Sequence, residues 1–200
     1  MNDLRINEDG FLDKGQFHWH ASPHFDERSG SMPISLIVIH NISLPAGCFG
    51  TGYVQALFDG TIDTTAHPSF VSLQGLEVSS HFFIDRNGEI WQFVSTQKRA
   101  WHAGKSSFMG HERCNDFSIG IELEGTDFLS FQEVQYASLR TLLKAITERY
   151  PQIKFVTGHS DIAPGRKTDP GLFFSADKAL NDATLRSKLK YWHLNAQKSI

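Results

Sequence analysis

Apolar and polar positions along the chain fall into short unbroken runs, strict alternations and one long helical stripe. Leu36-Ile37-Val38-Ile39 is an unbroken run. That pattern predicts a strand buried on both faces over residues 35–39. Residues 117–123 alternate instead: Phe117, Ile119, Ile121 and Leu123 are apolar, with Ser118, Gly120, Glu122 and Glu124 between and after them. A period of two predicts a strand with one core face and one face of carboxylates. His81 to Ile84 and Ile90 to Val94 flank Asp85-Arg86-Asn87-Gly88, a hairpin pattern. Another strand is predicted over 153–157. Leu139, Leu142, Leu143, Ile146 and Tyr150 form one helical stripe, so a helix is predicted from 131 to about 150. Ser130 with Glu133 reads as its capping box, Leu129 with Val134 as its staple, and Pro151 as its stop. A short helix is expected from about Tyr53 to Phe58, and a last one around 176–190. Residues 41–50, 60–78 and 98–116 read as loop. Interspersed strands and helices predict an α/β fold, a single domain with a mixed central β-sheet flanked by helices. Residues 1–33, polar and turn-rich, are expected as an N-terminal arm packed on the domain. The domain proper is placed at 34–190 and a C-terminal tail at 191–200.

Composition narrows the classes. The 200 residues carry a formal charge of -3 and a pI near 6.3, which gives no footing for nucleic acid or an anionic membrane. No apolar run approaches the roughly 20 residues of a membrane helix. Met1-Asn2-Asp3-Leu4-Arg5 lacks the basic start and apolar stretch of a signal peptide, so a cytoplasmic protein is expected. Cys48 and Cys114 lack CxxC spacing and read as free thiols, Cys114 as a packed one.

The candidate chemistry lies at strand ends. His40 closes the run 36–39, and His159 follows the apolar stretch that begins at Ile153. Asp169 comes ten residues after His159, on a loop stiffened by Pro164 and Pro170. Two imidazoles and one carboxylate make a zinc site with a position left for water, which is a catalytic rather than a structural pattern. Glu122 and Glu124 share a strand face, and either is a candidate to move a proton between water and a leaving amine. Lys167 and Arg166 are both candidates for a cation near a developing oxyanion. Trp101, in Arg99-Ala100-Trp101-His102-Ala103-Gly104, reads equally as a sugar-stacking ring or a loop anchor. Arg113 reads as a carboxylate clamp or a surface ion pair. His111-Glu112-Arg113-Cys114-Asn115 begins like HExxH, but its fifth residue is asparagine. His81 reads as a packed core histidine, and His18 and His20 as solvated.

At these residues the chain resembles a known family, the zinc-dependent N-acetylmuramoyl-L-alanine amidases related to phage T7 lysozyme and to the peptidoglycan recognition proteins. The resemblance is carried by Ser22 to Asp26, Val38 to Pro45, Leu57 to Asp63, Lys98 to Gly104, Glu112 to Asp127 and Gly158 to Gly171. It covers about residues 20 to 180. It implies that His40, His159 and Asp169 bind Zn2+, that Glu122 is the catalytic carboxylate, and that Lys167 is the transition-state cation. It implies that Asn41, Trp101 and Arg113 line a muropeptide groove. The substrate it implies is an anhydro-muropeptide, cut at the amide between anhydro-N-acetylmuramic acid and L-alanine in cell-wall recycling, by a monomer in the cytoplasm. Glu77 departs from the pattern, standing where a basic residue is expected before Val78-Ser79-Ser80-His81. Three alternatives remain: a non-catalytic peptidoglycan-binding module, since fold does not fix function, a broader amidase acting on intact wall, and a zinc peptidase cutting within the stem peptide.

Overall fold

The structure is a computed structural model, and it describes residues 4–30 and 32–194. Its centre is a mixed seven-stranded sheet. In chain order the strands are β1 (His18–Trp19), β2 (Leu36–Ile42), β3 (Phe82–Ile84), β4 (Ile90–Gln92), β5 (Ser118–Glu124), β6 (Phe155–Gly158) and β7 (Lys190–Trp192). Their order across the sheet is β7-β6-β2-β5-β3-β4-β1. β2 sits in the middle because its apolar run supplies both faces. Ile37 and Ile39 enter the core on one side, and Leu36 and Val38 the core on the other.

Strands β6, β2, β5 and β3 run parallel, so their carboxyl ends open on one edge of the sheet. Open α/β sheets place their ligands along such an edge. Register then decides who meets whom. Glu122 of β5 pairs with His40 of β2. Gly158 of β6 pairs with Ile39, so the residue after it, His159, arrives level with His40.

The face away from the site is covered by α2 (Glu133–Arg149), with α1 being Tyr53–Asp59. The predicted stripe of Leu139, Leu142, Leu143, Ile146 and Tyr150 is buried against Ile119, Ile121 and Leu123 of β5. The cap differs from the expectation. The helix is capped at Gln132, whose N–H donates to Gln135 Oε1 (3.0 Å). Ser130 lies outside the helix, and Leu129 and Val134 are each 46% exposed. The staple is made by Phe131 and Tyr136, with ring centroids 6.3 Å apart. The reason is long-range. The Gln135 amide also donates to Glu124 O (3.0 Å), which pins the first turn to the end of β5.

β5 is buried along its whole length, Glu122 and Glu124 included. Its second face is therefore interior, and its polar residues need partners there. Further segments depart from the sequence reading, among them 98–116, which carries the short strands Lys98–Ala100, Ser107–Phe108 and His111–Glu112 and the 3-10 turn Cys114–Asp116. Residues 60–78 contain a 3-10 helix, Pro68–Leu73, with Pro68 in its first turn. The single helix expected over 176–190 is two, α4 (Ala176–Ala179) and α5 (Ala183–Lys188). The split falls at Asp182, whose carboxylate caps α5 through the N–H groups of Thr184 and Leu185. The boundary placed at 191 falls inside β7, because Trp192 is buried against Phe108 (ring centroids 5.0 Å). Residues 195–200 of the expected tail lie outside the described residues.

The N-terminal segment is woven into the domain. Leu4, Ile6 and Leu12 join the main core, His18–Trp19 extends the sheet, and Phe25–Glu27 pairs with Lys98–Ala100. Among the described residues no helix is long and apolar enough to cross a membrane.

The two cysteines separate by environment. Cys48 is exposed and Cys114 buried, and burial pushes the Cys114 thiol up to about 11. Only the thiolate reacts. A thiol reagent at pH 8 is expected to label one cysteine of the native protein, Cys48, and a second only after unfolding, as read by intact mass.

Candidate metal centre and active site

His40 stands near the carboxyl end of β2, and its Nδ1 lies 2.9 Å from Nδ1 of His159. His159 opens a one-turn helix, α3 (His159–Ile162). The loop after α3 folds back so that Asp169 O accepts the Ser160 N–H (2.8 Å). This return brings Asp169 Oδ2 to 3.0 Å from His40 Nδ1 and 3.1 Å from His159 Nδ1. His40, His159 and Asp169 are thus brought to one point, as the sequence expects, with one donor atom each within 4.8 Å of the others.

The outer nitrogens assign the inner ones. His159 Nε2 lies 3.0 Å from Ala103 O, which only accepts, so Nε2 carries the hydrogen and Nδ1 a lone pair. His40 Nε2 lies 3.0 Å from His102 Nδ1. His102 Nε2 in turn faces Ser118 Oγ (3.2 Å), and Ser118 Oγ–H donates to Cys114 O (2.6 Å). With that chain ending on a carbonyl, each link donates in one direction and His40 Nδ1 also keeps its lone pair.

Two lone pairs and a carboxylate oxygen at these distances repel one another unless something positive lies among them. A proton on His40 does not serve at neutral pH. Burial, reinforced by the neighbouring His159, pushes His40 down to about 4. The donor set fits a divalent cation of the kind that accepts imidazole and carboxylate together.

Glu122 and Glu124, equivalent by spacing, have different surroundings. Both Glu124 oxygens are used: Oε1 accepts the Gly50 N–H (2.6 Å) and Oε2 the Arg86 N–H (3.0 Å). It ties two loops to the end of β5. Glu122 points to the donor set, with Oε1 4.0 Å from His40 Nδ1. Its Oε2 is buried and has no hydrogen-bond partner among the described residues. Burial first, then the charge of Asp169, push its carboxyl well above the usual range, and the charge of Lys167 opposes them.

Arg166 and Lys167 separate in the same way. The Arg166 guanidinium donates to Ala103 O (2.6 Å) and Lys105 O (2.7 Å) and so braces the loop that holds His159. Lys167 is exposed, and among the described residues its ammonium has no hydrogen bond or ion pair. It lines a cleft of about 680 Å³ together with Asn41, Asp127, Thr168 and Asp169.

Of the expected groove residues, Asn41 lies in this cleft, where its Nδ2 donates to Asp127 Oδ1 (2.7 Å). Trp101 and Arg113 do not line it. Trp101 is half-buried and stacked near His24 (centroids 6.1 Å), and its backbone N–H donates to Ser79 Oγ (3.1 Å). Arg113 is exposed and pairs with Asp116 (3.2 Å). Glu77 is exposed. His81 is fully buried. Its Nδ1 accepts the Gly120 N–H (3.0 Å) and its Nε2 faces Lys98 O (3.0 Å), so it is the packed core histidine the sequence predicts. Two residues escaped the sequence reading. His102 supports His40, and Asp127 bridges Asn41 and Thr168, accepting from Thr168 Oγ1 at 2.5 Å. Neither has a local spacing to mark it, and both act through tertiary contacts.

The model of the family described as N-acetylmuramoyl-L-alanine amidase matches residues 30–172. The chain belongs to this amidase family. Among similar proteins, the 1,6-anhydro-N-acetylmuramyl-L-alanine amidase AmpD of Escherichia coli (strain K12) is 56% identical over 154 residues, 76% of this chain and 84% of that protein. The crystal structure of a selenomethionine AmpD derivative superposes with a TM-score of 0.84 and 49% identity, over 92% of this chain and 98% of that one. AmiD from E. coli, solved with the substrate anhydro-N-acetylmuramic acid-L-Ala-D-gamma-Glu-L-Lys, has a TM-score of 0.54 and 31% identity, over 82% of this chain and 65% of that one. As a member of the family the chain is an amide hydrolase, and its single domain with a mixed sheet flanked by helices is the family architecture.

Proposed function

We propose that this amidase uses zinc to hydrolyse the amide joining the lactyl group of 1,6-anhydro-N-acetylmuramic acid to L-alanine in muropeptides. In this reading it works as a monomer in the cytoplasm, in cell-wall recycling. The observation that carries the proposal is the convergence of His40 Nδ1, His159 Nδ1 and Asp169 Oδ2 beside a buried, unpartnered Glu122 carboxylate. Likeness to relatives that bear this activity in their names supports the choice of substrate. A non-catalytic binding module would have no use for such a carboxylate.

His40, His159 and Asp169 would hold the zinc, since two imidazoles and one carboxylate are a catalytic zinc set. Zinc bound there supplies Lewis acidity to the scissile carbonyl and to the attacking water. Glu122 takes the proton of that water and returns it to the nitrogen of the leaving L-alanine. A carboxyl whose proton affinity is raised by burial is suited to both halves of that transfer. Lys167, exposed on the cleft, brings positive charge toward the oxyanion that develops on the lactyl carbonyl. The charge on Lys167 already acts on both Glu122 and His40. Asn41 would contact the substrate from the cleft, and Trp101 and Arg113 from outside it. With Glu77 in place of a basic residue, the stem peptide's carboxylates would find no cation at that position.

Lys167→Ala is expected to lower kcat by about 10²–10³-fold, the loss typical of one oxyanion partner, with zinc content unchanged. Steady-state kinetics alongside metal analysis checks this. The reaction itself is tested by incubating the enzyme with an anhydro-muropeptide and weighing both products. The proposal expects free anhydro-N-acetylmuramic acid and an intact peptide beginning with L-alanine. Fragments cut within the peptide would make the enzyme a peptidase instead.

A further inference from the structure

We propose that Asn115 is a positioning residue for the metal centre, acting through the dipeptide His102–Ala103. The inference rests on the metal reading above. It starts from an adjacency: the outer nitrogens of the two ligand histidines go to consecutive residues. His40 Nε2 donates to the His102 ring, and His159 Nε2 donates to the Ala103 carbonyl. A shift of this one dipeptide therefore moves both imidazoles at once.

The dipeptide lies between strands, and one atom takes both of its N–H groups. Asn115 Oδ1 accepts from His102 N (3.2 Å) and from Ala103 N (2.8 Å). Asn115 is 5% exposed and sits on a 3-10 turn, Cys114–Asp116. The same turn holds His102 a second time, because Ser118 Oγ links the ring's Nε2 to Cys114 O. The ring is also boxed in from the sheet. A Cβ on Gly120 would lie 2.5 Å from His102 Cγ, so only glycine lets the ring lie this close to β5.

The turn is itself clamped. The Arg28 guanidinium donates to Asn115 O and Asp116 O (3.0 Å each) and to Ser118 O (2.8 Å). The result is a closed circuit from turn to dipeptide to ring and back to the turn, and Asn115 Oδ1 is its link to the backbone of the dipeptide. Outer partners of metal-ligating histidines set ring orientation and ligand basicity, and losing them typically costs about 10–100-fold in metal affinity.

The test compares Asn115→Leu, which removes the acceptor at similar volume, with Asn115→Asp, which keeps an oxygen in place. Zinc affinity is read by competition with a chromophoric chelator, and ligand geometry by the absorption bands of the cobalt-substituted proteins. Asn115→Leu is expected to bind zinc about 10–100-fold more weakly with shifted cobalt bands, and Asn115→Asp to bind as the parent does. Parent-like affinity and bands in Asn115→Leu would overturn the proposal, as would equal weakening in both variants. Should Asn115→Leu not fold, nitrogen-15 imidazole spectra of the zinc-loaded parent decide. A His102 proton on Nε2 supports the circuit, and one on Nδ1 overturns it. A parent that binds no zinc refutes the metal reading and this inference with it. A parent that binds zinc beside an unaffected Asn115→Leu refutes this inference alone.

Discussion

Glu122→Gln is expected to keep its zinc and lose about 10²–10⁴ of kcat, the contribution typical of a positioned proton-transfer group. The substitution preserves volume and one carbonyl oxygen, so the buried site near His40 stays filled. It removes the ability to accept a proton from water and to release it to the leaving nitrogen. KM is expected to move little, because Glu122 touches none of the cleft-lining residues through a hydrogen bond. Glu124→Gln is the natural control. That side chain receives backbone N–H groups from Gly50 and Arg86, so its loss should appear in the unfolding midpoint before it appears in turnover. Kinetics, metal analysis and thermal unfolding of the two variants check both statements. A fully active Glu122→Gln would remove Glu122 from the proton pathway.

His40→Ala is expected to lose metal and activity together, with turnover at background. His40 is 1% exposed, and its side chain faces the two other donors and Glu122. Its removal would take one of the three proposed ligands and leave His102 Nδ1 without the N–H it accepts. Two donors, on a braced loop and a one-turn helix, hold zinc much less firmly than three. Metal content after purification, assayed beside the parent, checks the loss. Retention of a full equivalent of zinc would show that the ion sits elsewhere.

Much of this geometry was legible in the chain. The unbroken run 36–39 predicts a central strand, and the stripe from Leu139 to Tyr150 a helix, because each pattern matches the period of the element it forms. His40, His159 and Asp169 were legible as a set, since strand ends and a braced loop can meet. What escaped was decided across the fold. The start of α2 moved to Gln132 because Gln135 bonds to Glu124 O, 11 residues away in sequence. Glu122 and Glu124 are identical by local pattern. Only the pairing of β5 with β2 and the loops that claim Glu124 tell them apart. Arg166 and Lys167 likewise differ through two carbonyls, Ala103 O and Lys105 O, 63 and 61 residues from Arg166. The support of His40 by His102 spans 62 residues and has no local signature.

The account stands on a divalent cation at the donor set of His40, His159 and Asp169. Its most direct test is removal of metal with a chelator, transfer to metal-free buffer, and titration with zinc while following release of the L-alanine peptide. The prediction is a stripped protein with no turnover, restored to the parental rate at one equivalent of zinc per chain. Full turnover by the rigorously stripped protein would contradict it.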